Sequence, residues 1–180
     1  MIKYETNTSS IYLANKTFCE KIENSLKSLN IVCSGFCNSY GYDFEVNHIK
    51  NDLNYHLRFH KHQTSQNGIV VPIDAVDFSG IDITVKGLAK KVKVKYGKSA
   101  FRRFFTKKLF ACMIPFPCYL EFNYSPDKVF LEFLIHIIQY EKISNLKLSN
   151  GNLVFEITGN SKTDVLTLIS NIEKVVESWK

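Results

Sequence analysis

The run Val129 to Ile138, Val-Phe-Leu-Glu-Phe-Leu-Ile-His-Ile-Ile, must be covered on several sides wherever it lies in the fold. It is far shorter than the roughly 20 residues that cross a bilayer, and it carries Glu132 and His136, so it reads as core and not as a membrane span. Ser125, Pro126 and Asp127 supply an N-cap, a first helical residue and an acid at the positive end of a helix dipole. The spacing predicts a helix reaching about Tyr140. Its broad apolar face holds Phe130, Phe133, Leu134, Ile137 and Ile138, with Lys128, Glu132, His136 and Gln139 toward the other side. A buried strand is the rival reading, because a continuous apolar run has no decisive period.

Similar patterning recurs along the chain. Asn15 to Leu29 reads as an amphipathic helix capped at Asn15 or through Thr17 and Glu20, with Phe18, Cys19, Ile22, Leu26 and Leu29 near one face and Asn30 at its exit. Strands are expected over Ile31–Asn38, Asp43–Ile49, Leu53–His62 and Ile69–Ile73, with another short strand near Asp82. Lys91–Tyr96 alternates lysine with Val92, Val94 and Tyr96, and Cys118–Asn123 also resembles a strand. Asn150-Gly151 lies between two alternating segments, Asn145–Ser149 and Asn152–Ile157, and both residues tolerate the positive φ of a tight hairpin turn. A closing helix from near Ser161 carries the stripe Val165, Leu168, Ile169, Ile172, Val175, Val176 and Trp179. The expected fold is α+β, mainly antiparallel sheet packed against about four helices.

At 180 residues, 45% of them apolar, the chain can build a substantial core, and no Ser/Gly/Pro-rich linker interrupts it. One domain over residues 1–180 is the simpler organisation; a subdivision near the basic residues 86–98 is the alternative. The first ten residues contain no hydrophobic signal segment. The odd set Cys19, Cys33, Cys37, Cys112 and Cys118 does not resemble a disulfide framework, and the spacing Cys33-x-x-x-Cys37 favours buried thiols over a redox or zinc motif. These features point to a reduced, cytoplasmic setting.

Charge is the main functional cue. Lys86 to Lys108 holds ten basic residues and no acid, leaving 13 basic and 17 acidic residues elsewhere. Such a segment attracts an acidic protein, nucleic acid or an anionic membrane. The candidate contact residues are Lys91, Lys93, Lys95, Arg102, Arg103, Lys107 and Lys108. Lysines on a strand also discourage edge pairing, a sufficient reason for the Lys91–Lys95 pattern if that strand is an edge. Ser99 to Phe110 reads as a helix whose Phe101, Phe104, Phe105 and Leu109 dock into the core. Exposure of that stripe would instead join apolar insertion to positive charge, as in a membrane-surface segment.

His56, His60 and His62 share one face of the predicted Leu53–His62 strand. His60 and His62 are the candidate metal ligands, although Arg58 intervenes and the sequence does not place Asp43 or Asp82 beside them. Gly-rich phosphate loops, dinucleotide fingerprints, His-Glu-x-x-His helices and Gly-x-Ser-x-Gly elbows are absent from the sequence, and no cofactor is implied. The favoured function is a non-enzymatic interaction domain whose basic surface contacts an acidic protein or other anionic macromolecule. A DNA- or RNA-binding domain is the first alternative, a histidine-based metal-dependent hydrolase the second. Trp179→Ala should remove a large anchor of the closing helix and lower the cooperative melting temperature; an unchanged transition counts against docking of that side chain.

Overall fold

In a computed structural model, the described residues are 1–62, 78–88, 92–106, 113–123, 125–158 and 165–177. In chain order the elements are β1 (Ile2–Tyr4), α1 (Ser10–Lys27), β2 (Cys33–Asn38), β3 (Gly41–Lys50), β4 (Leu53–His62), β5 (Phe78–Lys86) and β6 (Val94–Lys98). There follow α2 (Ala100–Phe105), β7 (Cys118–Phe122), α3 (Lys128–Tyr140), β8 (Ile143–Ser149), β9 (Asn152–Thr158) and α4 (Val165–Glu177). All nine strands join one sheet in the order β1-β2-β3-β4-β5-β9-β8-β6-β7. The pairing is antiparallel except between β1 and β2, which α1 connects as a parallel crossover. The fold is therefore α+β, as expected. The expected Ile69–Ile73 strand, Ser161, Leu109, Cys112 and Trp179 lie outside the described residues.

Strand periodicity divides the sheet into two chemically distinct faces. Along β4, Leu53, Tyr55, Leu57 and Phe59 are buried, while the residues between them are exposed or half-buried. Register carries this alternation across the sheet. Val46, Leu57, Ile83, Phe155 and Leu146 face one another on successive strands, and all are buried. So are Phe44, Phe59, Ile81, Ile157 and Ile143 in the adjacent row. A one-residue slip would turn an entire row out to water, which fixes the register wherever one face is covered. Two tight turns help to set it: Asn51 and Asp52 adopt φ of 51° and 64°, and Asn150 and Gly151 adopt 53° and 78°, the left-handed pairs that a two-residue hairpin requires.

Helices α1, α3 and α4 cover the apolar face. Phe18 of α1 stacks on Tyr42 with ring centroids 4.9 Å apart, and Phe133 of α3 meets Phe155 edge-on at 6.5 Å. Buried Leu168, Ile169, Ile172 and Val175 bring α4 into the same cluster, and Lys50 reaches from β3 to Glu173 at 2.9 Å. The run that begins at Val129 is helical, and its buried residues are the predicted Phe130, Phe133, Leu134, Ile137 and Ile138. Its cap is Asp127 and not Ser125. The Asp127 backbone is extended and its Oδ1 accepts from the Phe130 amide at 2.8 Å, so Pro126 precedes the cap.

Helix α1 starts earlier than expected, with Ser9 as its cap. Tyr12 is buried and donates its hydroxyl to the Glu5 carbonyl, which extends the docked face by a turn. Asn15 is buried and donates to the Asn38 carbonyl at 3.3 Å, while Thr17 bonds back to Leu13 as an interior helical residue, so neither is a cap. The exit is at Asn30, whose φ of 56° lets the Ile31 amide return to the Leu26 carbonyl. That reversal leaves Leu29 outside the helix and exposed. Phe133→Ala should cost about 3–5 kcal/mol, the range for deleting a buried aromatic, read as a lower denaturation midpoint with unchanged denaturant slope.

Candidate macromolecule-binding face

The second face of the sheet carries most of the polar residues of the alternation. Asn47, His56, Thr84, Val154, Lys147, Lys95 and Glu121 form one continuous row across seven strands, none of them buried. Beside it runs a second row, Glu45, Arg58, Asp82, Glu156 and Asn145. Charge is segregated along these rows. Carboxylates, histidines and Arg58 occupy the middle strands, and lysines occupy the β6–β8 end.

At the lysine end, β6 and β8 pair only through Val94–Leu148 and Lys95–Lys147 among the described residues. A groove of about 520 Å³ opens there, lined by Lys93, Lys95, Lys147, Glu121, Asn123 and Asn145 among others. Lys95 and Lys147 oppose each other directly, an arrangement that disfavours strand pairing unless a negative charge intervenes. Glu121 faces Lys95 from the other side but is engaged by Arg102 at 3.7 Å. Among the described residues, Lys93, Lys95 and Lys147 make no ion pair. Edge protection does not explain these lysines, because β6 lies between β8 and β7.

The predicted basic residues therefore separate by role. Lys93 and Lys95 are exposed at the groove, and Arg102 is exposed beside it. Arg103 is committed internally: its Nη1 donates to the carbonyls of Ile114 at 3.0 Å, Pro115 at 2.9 Å and Cys118 at 2.7 Å. Neutralising it would unfasten the loop before β7 and so confound a binding test. Lys91, Lys107 and Lys108 lie outside the described residues. Lys147 was not among the sequence candidates. Alternation within Asn145–Ser149 placed it on a polar row, but only the non-local pairing of β8 with β6 brings it to Lys95.

The phenylalanine stripe reverses its expected role. Phe101, Phe104 and Phe105 are 73%, 76% and 77% exposed, and no residue of α2 is buried. The helix docks on β7 through its arginines, which takes the place of apolar docking. Arg103 clamps the three carbonyls, Arg102 meets Glu121, and the phenylalanines point away.

The histidines do share the open face. His60 lies over Gly80, where an added Cβ would come within 2.8 Å of its Nε2, and stacks with His62 at a centroid distance of 6.4 Å. His56 contacts Asn47 at 2.9 Å. Of the two carboxylates the sequence left unplaced, Asp43 stands opposite His60 and Asp82 opposite Arg58. Arg58 donates to both Asp43 oxygens, at 3.0 and 2.6 Å, and His62 Nε2 lies 3.9 Å from Asp43 Oδ2. Asp43 is thus occupied by a guanidinium, and among the described residues no group of three or more His, Cys, Asp or Glu side chains is arranged to hold a metal ion.

Cys19, Cys33, Cys37 and Cys118 are free and buried. Burial pushes the Cys33 thiol up to about 11, with Glu23 adding to the shift, and burial likewise raises Cys19 and Cys37. Protonated interior thiols of this kind are poor nucleophiles. No family model, curated protein or solved structure matches the chain.

The bidentate bond from Arg58 holds the Asp43 carboxyl below its ordinary value, against the opposing effect of burial. A depressed carboxyl stabilises the fold above its unfolded pKa, ~3.9, and that contribution fades as pH falls through the lower folded value. Arg58→Met should return the Asp43 titration upward in carboxyl NMR and remove this part of the acid dependence of stability; an unmoved Asp43 would contradict the assignment.

Proposed function

We propose that the protein is a non-enzymatic interaction domain that receives an acidic protein segment along the lysine end of its open sheet face. The reading rests on one observation: Lys95 and Lys147 are held in direct opposition beside Lys93, over a groove with no ion-pair partner for any of the three among the described residues. An anionic side chain in that groove relieves the lysine repulsion. Ser149 at its wall offers a hydroxyl that can bond an extended segment. Nearby carboxylates Glu45, Asp82 and Glu156 on the adjoining strands disfavour continuation of a long polyanion across the sheet. That charge division favours a short acidic segment over a nucleic-acid strand tracking the full face.

The test is binding of the untagged protein and a Lys93→Gln, Lys95→Gln, Lys147→Gln variant to an array of Asp/Glu-rich peptides, with single-stranded DNA, duplex DNA and RNA in parallel. Selective peptide binding that weakens with salt and falls at least roughly tenfold in the folded variant is the expected result. Equal binding by the variant, or no peptide binding at low salt, overturns the proposal. Preferential DNA or RNA binding lost in the same variant would assign the lysines to nucleic acid.

A further inference from the structure

A surface helix ordinarily turns its apolar stripe inward because burial removes that stripe from water. Helix α2 is mounted the other way round. Its Ser99 cap accepts from the Arg102 amide at 3.3 Å, and the Ser99 amide itself donates to the Pro117 carbonyl at 3.2 Å. Arg103 then spans the Ile114, Pro115 and Cys118 carbonyls, and Arg102 reaches Glu121 on β7. These polar contacts fix the inner side of the helix. The outer side presents Phe101, Phe104 and Phe105, with Phe101 and Phe105 in contact at a centroid distance of 5.1 Å.

The apolar surface extends beyond the helix. Phe116 is 66% exposed, and the Arg103 guanidinium lies over its ring at 5.6 Å from the centroid. Met113 is exposed as well. The segment that carries this cluster is cationic, and the acid beside it is Glu121, the partner of Arg102. Lys98 is exposed at the end of β6, Arg102 is exposed on α2, and Lys107 and Lys108 follow in the sequence. From Lys86 to Lys108 no acidic residue interrupts them.

We infer that α2 and Phe116 form a membrane-docking tip that inserts phenylalanines into the interface of an anionic lipid bilayer, to which the cationic segment that carries them is attracted. The charge pattern selects this occupant. An apolar patch carried on an acid-free cationic segment matches a surface whose interior is hydrocarbon and whose boundary is negative. The helix is far too short to span a bilayer, and no helix among the described residues is long and apolar enough to do so, so the contact is peripheral. This surface is separate from the lysine groove: it uses Phe101, Phe104, Phe105 and Phe116, none of which lines that groove.

Co-sedimentation of the full chain with vesicles of phosphatidylcholine alone and of phosphatidylcholine mixed with phosphatidylserine tests the assignment. Wild-type protein should sediment with the mixed vesicles, lose binding as salt is raised, and bind phosphatidylcholine weakly. A Phe101→Ser, Phe104→Ser, Phe105→Ser variant should lose roughly tenfold in partitioning for each residue replaced while keeping its circular dichroism and melting transition. Phe104→Ser alone, with its single step of about tenfold, carries the test if the triple variant misfolds. Absence of binding to the mixed vesicles at low salt, or equal binding by a folded serine variant, overturns the inference. So does a concentration-dependent dimer in sedimentation velocity that the serine substitutions abolish, because the phenylalanines would then belong to a contact between two copies.

Discussion

Everything in this molecule depends on a register-locked sheet that, among the described residues, is covered on one side only. Side chains alternate along the paired centre of β3, β4, β5, β9 and β8, with one bulge at Ile143–Asn145 of β8, and the pairing keeps like with like from strand to strand. The apolar rows gain their stability by meeting α1, α3 and α4. The polar rows cannot be turned inward without exposing the apolar ones, so the open face is a geometric by-product of the core. Its chemistry is then free to vary. In this chain it is divided into an acidic and histidine-bearing middle and a lysine-bearing end.

Two kinds of arginine show how the same residue type can either build a surface or serve it. Arg58 bridges to Asp43 on the open face and leaves that carboxylate occupied. Arg103 sits beneath α2, and the two hydrogens of its Nη1 are shared among the carbonyls of Ile114, Pro115 and Cys118. Neither is available in the way an exposed lysine is. A count of positive charge in the sequence therefore overstates the binding surface in one place, at Arg103, and understates it in another, at Lys147.

Much of the fold was legible because local signals agreed with one another. The β4 boundaries, the Asn150-Gly151 hairpin and all five buried residues of α3 follow from period and turn chemistry alone. The misses have physical causes. Helix α1 begins at Ser10 because Tyr12 finds a partner in Glu5, and Asn15 is buried because Asn38 offers a carbonyl; both facts depend on where β1 and β2 lie. Lys147 escaped notice because its neighbour Lys95 belongs to a strand about fifty residues earlier. The phenylalanines of α2 carry a helical period that marks a docking face without saying whether the partner lies inside or outside the protein. Arg103 fixes which side of the helix meets the sheet, and its acceptors are backbone carbonyls, which no side-chain pattern announces.

The Arg103 clamp also has a mechanical meaning. Helix α2 has no buried side chain, so a push or pull on its outer surface cannot be dissipated in a soft apolar contact. It passes through Arg103, Arg102 and Ser99 to β7 and the residues leading into it, and β7 is paired at five positions with β6. Among the described residues β6 in turn meets β8 at two pairs. Helix α2 is thus tied through two strands to the pairing that floors the groove.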